Sequence, residues 1–196
     1  WLAGLVGQSF LSEYPIRVIH NGIDLSVFRP TDSKFREEHA ISSDKHIVLG
    51  VSFGWGEKKG LDIFIRLAGC LPENYQLVLV GTNDAMDQIL PEQILSIHRT
   101  TSKQELAEIY SAADIFLNPT REDTYPTVNM EAIACGTPVL TFHTGGSPEI
   151  LDEKTGSVID DGDFDTLYSE ILRLCEQEPL KRQDCLERAR QFGAAE

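Results

Sequence analysis

Two short runs without a polar side chain, Ile47-Val48-Leu49-Gly50-Val51 and Leu77-Val78-Leu79-Val80, constrain this chain most. A strand with one wet face alternates apolar and polar residues. A continuous apolar run suits a strand covered on both faces, as in parallel sheets. The spacing predicts strands at Ile16–Ile19, His46–Phe53, Gln76–Val80, Ile94–Ile97, Ile115–Leu117, Val139–Phe142 and Ser157–Ile159. Helical patterns fall between them, at Gly60–Leu71, Ala85–Ile89, Lys103–Ala113, Pro126–Cys135, Asp163–Glu176 and Pro179–Phe192. Ser102 and Glu105 form a capping box ahead of Leu106, Ile109 and Tyr110. This strand–helix rhythm predicts an α/β fold, a Rossmann-like parallel sheet with helices on both faces.

A chain of 196 residues can bury one sizeable core. Residues 1–20 read as the remnant of a preceding domain and its linker, Asn21–Asp44 as a turn-rich connection, and 21–196 as one domain. A net charge of −14, from 17 basic and 31 acidic residues, argues against nucleic acid as a partner. No apolar run reaches the ~18 residues of a membrane span, so no integral membrane segment is expected. Cys70, Cys135, Cys175 and Cys185 show no metal-binding spacing. Cys70 and Cys135 read as small buried hydrophobes, and the composition suits a reducing cytoplasm. The five histidines show no metal spacing either, and no metal is assigned.

Open parallel sheets bind ligands beyond the carboxyl ends of their strands. The segments to search are therefore Ser52–Gly60, Gly81–Asp84, His98–Ser102, Pro119–Pro126 and His143–Glu149. The segment leading into the Pro126–Cys135 helix carries Glu122 and Asp123. Inside the helix Glu131 stands among Val128, Met130, Ala132, Ile133, Ala134 and Cys135. A buried carboxylate must be paired, hydrogen-bonded or protonated. Pro126 fits the first helical turn, Gly136 the residue after the last, and Pro138 blocks continuation.

Several motifs occur in a fixed order. They are Ile19-His20-Asn21-Gly22-Ile23-Asp24, Lys58-Lys59-Gly60-Leu61-Asp62, Leu77-Val78-Leu79-Val80-Gly81, Asp114-Ile115-Phe116-Leu117-Asn118-Pro119-Thr120, Glu131-Ala132-Ile133-Ala134-Cys135-Gly136-Thr137-Pro138-Val139 and Gly145-Gly146-Ser147-Pro148-Glu149. Together they resemble the C-terminal, donor-binding half of the retaining family-4 glycosyltransferases, which have the GT-B fold.

The resemblance implies a nucleotide-sugar donor such as a UDP- or GDP-sugar, transfer with retention of configuration and no metal. It also implies a missing N-terminal domain as partner, carrying the acceptor site. In the family pattern Glu131 binds the ribose hydroxyls, and an acid eight positions earlier faces the transferred sugar. That register picks Asp123, with Glu122 adjacent and able to serve instead. Lys59, with Lys58 beside it, would meet the diphosphate. The N–H groups of Thr127 and Val128 would receive phosphate oxygens, with Tyr125 and Gly145 close by. Arg99, in His98-Arg99-Thr100, would stand near the base. The family's arginine five residues before the lysine is absent; Gly54 takes its position, and Arg99 and Arg121 are the candidate replacements. The Gly54 and Asp123 departures leave a second reading open, a non-catalytic GT-B-like nucleotide-sugar-binding module. A different nucleotide-binding α/β enzyme would need GxGxxG or GxxxxGK[ST], and neither occurs.

Overall fold

The structure is a computed structural model, and it describes residues 1–177 and 179–193. Its centre is a six-stranded sheet: β1 (His46–Val51), β2 (Tyr75–Val80), β3 (Ile94–Ile97), β4 (Ile115–Asn118), β5 (Val139–Phe142) and β6 (Gly156–Ile159). The spatial order is β3-β2-β1-β4-β5-β6 with every pair parallel. This is a doubly wound α/β fold, and its order reverses between β1 and β4.

The apolar runs do what their composition predicts. In β1, Ile47 and Leu49 join the cluster on one face, while Val48 joins the cluster on the other; all three are fully buried. The first cluster is covered by α5 (Lys103–Ala112), α6 (Thr127–Ala134) and α9 (Arg182–Ala189), the second by α3 (Leu61–Ala68) and α8 (Phe164–Gln177). Shorter helices are α1 (Leu2–Gly7), α2 (Phe35–Glu38), α4 (Asp84–Asp87) and α7 (Ser147–Ile150). The Ser102 hydroxyl caps α5 by accepting from the Glu105 N–H at 3.1 Å. The returning Glu105 carboxylate accepts from the Thr101 N–H, one residue earlier than the capping box predicts.

Several expectations are corrected. Ile16–Ile19 is no strand: residues 15–22 run as irregular chain, and among the described residues no strand pairs with them. Asn21–Asp44 is more than a connection. Ile23, Phe28, Phe35 and Ile41 are buried in the first cluster, and Ile23 bridges to Gly193. Their spacing has no single period, so the sequence pattern did not mark them as core. Cys70 is exposed, in the turn that follows the end of α3; the other three cysteines are buried. Pro126 is the N-cap of α6 rather than its first helical residue, with an extended ψ of 112°. The expected domain end at residue 196 lies outside the described residues, as does Glu178. Among the described residues no helix is long and apolar enough to cross a membrane.

Candidate functional site

The site forms where β1 and β4 part at the topological reversal. After β1 the chain turns through a 3-10 segment, Glu57–Lys59, and enters α3 at Gly60. Gly60 has φ +72°, and a Cβ there would lie 2.5 Å from the Pro119 carbonyl oxygen. Only glycine lets the lysine-bearing turn sit this close to the end of β4. The segment after β4 then carries the two acids past the two lysines. Lys58 Nζ donates to Glu122 Oε2 at 2.7 Å, and Lys59 Nζ to Asp123 Oδ2 at 2.9 Å and the Glu122 carbonyl at 3.2 Å. The outer pair is exposed; Lys59 and Asp123 are half-buried. So the structure brings Lys58, Lys59, Glu122 and Asp123 together, in the register that pairs Lys59 with Asp123.

The acid segment runs directly into α6. No side chain caps that helix, and the Thr127 and Val128 N–H groups have no partner among the described residues. Two open donors at the positive end of a helix dipole, in the segment that follows the Lys59–Asp123 pair, have the chemistry to receive an anion. Glu131 lies one turn after Thr127, on the same face. It is half-buried, and Tyr110 donates its hydroxyl to Oε2 at 3.1 Å. Burial pushes the Glu131 carboxyl above its ordinary 4.5, against the opposing pull of the Tyr110 hydrogen bond and the Lys103 charge. The Tyr110 hydroxyl is pushed up too, first by burial and then by the Glu131 carboxylate. Tyr110 was not legible as this partner: it sits 21 residues away on another helix.

Tyr125 is half-buried, packs against the core and stacks at a tilt on His20, with ring centroids 4.7 Å apart. Gly145, after β5, lies under the acid segment: a Cβ on it would fall 1.8 Å from the Asp123 carbonyl oxygen. Arg99 is exposed and lines a cavity of about 400 Å³ with Phe53, Trp55, Gly81, Asn83 and His98, at the ends of β1, β2 and β3. Trp55 is fixed there by donating from Nε1 to the Val80 carbonyl at 2.9 Å. Sequence reasoning singled out Arg99 but missed the aromatic pair Phe53 and Trp55, although both flank Gly54. A side chain at Gly54 would meet nothing within 4 Å, so packing does not demand glycine there.

Arg121 is not a spare cation. Its guanidinium is spent on Asp62, Asp161 and the Glu57 carbonyl. The candidate replacement for the missing arginine is therefore withdrawn for Arg121, and Arg99 remains. Among the described residues one group, Asp84, Asp87 and His98, places three possible metal-ligand atoms within 4.8 Å of one another. All three residues are exposed, and His98 already hydrogen-bonds Asp87 at 2.6 Å.

A Rossmann-like domain with an uncapped helix start after the strand at the sheet reversal matches one half of the GT-B fold. The family model described as glycosyl transferases group 1 matches residues 45–177, and the chain belongs to that family as a C-terminal domain. Over 157 residues it is 32% identical to a D-inositol 3-phosphate glycosyltransferase of Mycobacteroides abscessus, covering 74% of this chain and 35% of that protein. Sucrose-phosphate synthase from Thermosynechococcus elongatus superposes with a TM-score of 0.81 at 24% identity, over 97% of this chain and 52% of that one. An Anabaena protein, HepE, solved in complex with UDP-glucose, superposes with a TM-score of 0.77 at 22% identity, over 90% and 53%. The chain spans about half or less of the length of these proteins.

Proposed function

We propose that this domain binds the nucleotide-sugar donor of a cytoplasmic, retaining family-4 glycosyltransferase serving polysaccharide biosynthesis. Acceptor binding falls to a separate N-terminal domain. The observation that carries the reading is the placement of Glu131. Its half-buried carboxylate lies one helical turn below the open N–H groups of Thr127 and Val128, in the helix that follows the Lys59–Asp123 pair. That spacing suits a ribose diol at Glu131 and a diphosphate at the helix start. A carboxylate offers two acceptor oxygens to the two hydroxyls. The UDP-glucose complex of the HepE neighbour is consistent with such a donor.

In the proposed reaction the bond between the anomeric carbon and the diphosphate oxygen breaks. Negative charge grows on the leaving diphosphate, and Lys59, Lys58 and the Thr127 and Val128 N–H groups stabilise it. These groups do the work a divalent cation would do elsewhere, so the reaction is proposed to be metal-independent. Asp123, with Glu122 beside it, faces the cationic sugar.

Calorimetry with UDP, GDP and ADP, each with and without EDTA, tests the reading. One of them is expected to bind the folded chain, unaffected by EDTA. No binding by any of the three would sink the donor site. Glu131→Ala is expected to weaken nucleoside binding by about 1.5 kcal/mol, roughly tenfold, as a charge-assisted contact is lost.

The pH dependence follows from the raised carboxyl. As pH falls through that raised value, in a window above 4.5, Glu131 takes up a proton and loses acceptor capacity, so nucleoside affinity falls. Folding stability moves the other way. A carboxyl with a raised folded-state pKa gains its proton first in the folded state, so its contribution to stability rises as pH falls through the window. Glu131→Gln should flatten both trends, and an unchanged pH profile in that variant refutes the ribose role.

A further inference from the structure

Arg121 directly precedes the two acids. Its geometry gives it a task of its own. Nη1 and Nη2 donate to the two carboxylate oxygens of Asp62 at 2.8 and 2.9 Å, at the start of α3. Nη1 also donates to the Glu57 carbonyl at 2.5 Å, and Nε reaches both Asp161 oxygens at 3.1 and 3.2 Å, beyond β6. The backbone N–H of Arg121 donates to the Lys58 carbonyl at 2.8 Å. The Thr120 hydroxyl reaches the same carbonyl at 3.4 Å. One residue therefore grips the first residue of the lysine turn, the helix that follows it and the far edge of the sheet. The next two residues are Glu122 and Asp123, and the gripped turn contains Lys58 and Lys59.

We infer that Arg121 is the positioning residue that holds the lysine turn and the acid segment in register, and so sets the strength of diphosphate binding without touching the ligand. The inference rests on the donor-site reading above. The guanidinium suits the task because its donors lie in a rigid planar fork, which can satisfy a carboxylate and a carbonyl together. A lysine at this position would supply one mobile charge and could not reach all three acceptors. The half-buried setting of the side chain limits competition from water. Asp62 is its complement: its carboxyl is held below the ordinary range chiefly by the hydrogen bonds from Arg121.

The test uses the 196-residue chain, with the best-binding nucleoside diphosphate and its parent nucleoside as probes. The ratio of the two affinities isolates the diphosphate contribution, which a loss of global stability in a still-folded protein does not change. R121A is expected to lower that ratio about tenfold, because a displaced binding group loses its geometry. R121K should fail to restore it, and nucleoside affinity should stay at the wild-type value in both. D62N, an exposed substitution that removes the bidentate partner, should lower the ratio in the same direction and serves if R121A does not fold. An unchanged ratio in folded R121A or in D62N, or full rescue by R121K, overturns the inference. If the wild-type chain binds no nucleoside diphosphate, the donor-site reading fails first, and that failure is visible before any variant is made.

Discussion

Gly145→Ala is expected to destabilise the domain by about 3 kcal/mol and to displace the acid segment. Gly145 sits at φ +54°, where an L-residue costs about 1–2 kcal/mol. A Cβ there would also lie 1.8 Å from the Asp123 carbonyl oxygen and 3.0 Å from its carbon. These are backbone atoms and cannot rotate away, so the segment carrying Glu122 and Asp123 must shift. The next residue adds a second brace, since the Gly146 N–H donates to the Thr124 carbonyl at 2.9 Å. Gly162→Ala is the control: it has φ +90° but nothing within 4 Å of its added Cβ. Urea unfolding of both variants separates conformational strain from the clash. Equal losses would show that the close approach to Asp123 carries no weight. A loss about 1–2 kcal/mol larger at Gly145 supports it. Gly145 is thus placed to act on the site through the backbone of Asp123, a role the sequence resemblance did not suggest.

What the sequence disclosed follows physical range. Local patterns were readable. The runs at β1 and β2 announced two-sided burial, Ser102 marked the start of α5, and Gly136 marks the end of α6 at φ +84°. Order along the chain located the lysine turn, the acid segment and Glu131. Partners set by topology were not readable. Arg121 looked available because its acceptors lie 40 and 59 residues away in the chain. Glu131 looked unpaired because Tyr110 reaches it from a neighbouring helix. Ile16–Ile19 has strand composition but, among the described residues, no strand that pairs with it, and composition alone supplies no partner. Phe28, in a bend, and Phe35, at the start of the four-residue helix α2, are buried without a shared periodicity, because no single element is long enough to set one.

Lys59→Ala and Asp123→Asn are expected to change nucleoside diphosphate affinity in opposite directions. In the structure the half-buried Lys59 ammonium already holds an anion, the Asp123 carboxylate at 2.9 Å, and Lys58 holds Glu122 at 2.7 Å. Under the proposed function, a diphosphate at the start of α6 has to exchange with these carboxylates for the lysines. Lys59→Ala removes the cation and leaves Asp123 unpaired beside the incoming charge. Loss of a hydrogen bond to a charged group costs about 1.5–3 kcal/mol, so affinity should fall between about tenfold and a hundredfold. Asp123→Asn keeps the shape, removes the competing charge and leaves Lys59 for the ligand. The gain is smaller, about fivefold, because solvent screens a half-exposed pair. Glu122→Gln, on the exposed outer pair, should change affinity by less than Asp123→Asn. In the proposed reaction the same exchange would release Asp123, leaving its carboxylate to face the sugar once the diphosphate takes Lys59. Calorimetry on the three variants decides the point. If Asp123→Asn weakens binding, Asp123 is not competing with the diphosphate for Lys59, and the pair is structural scaffolding instead.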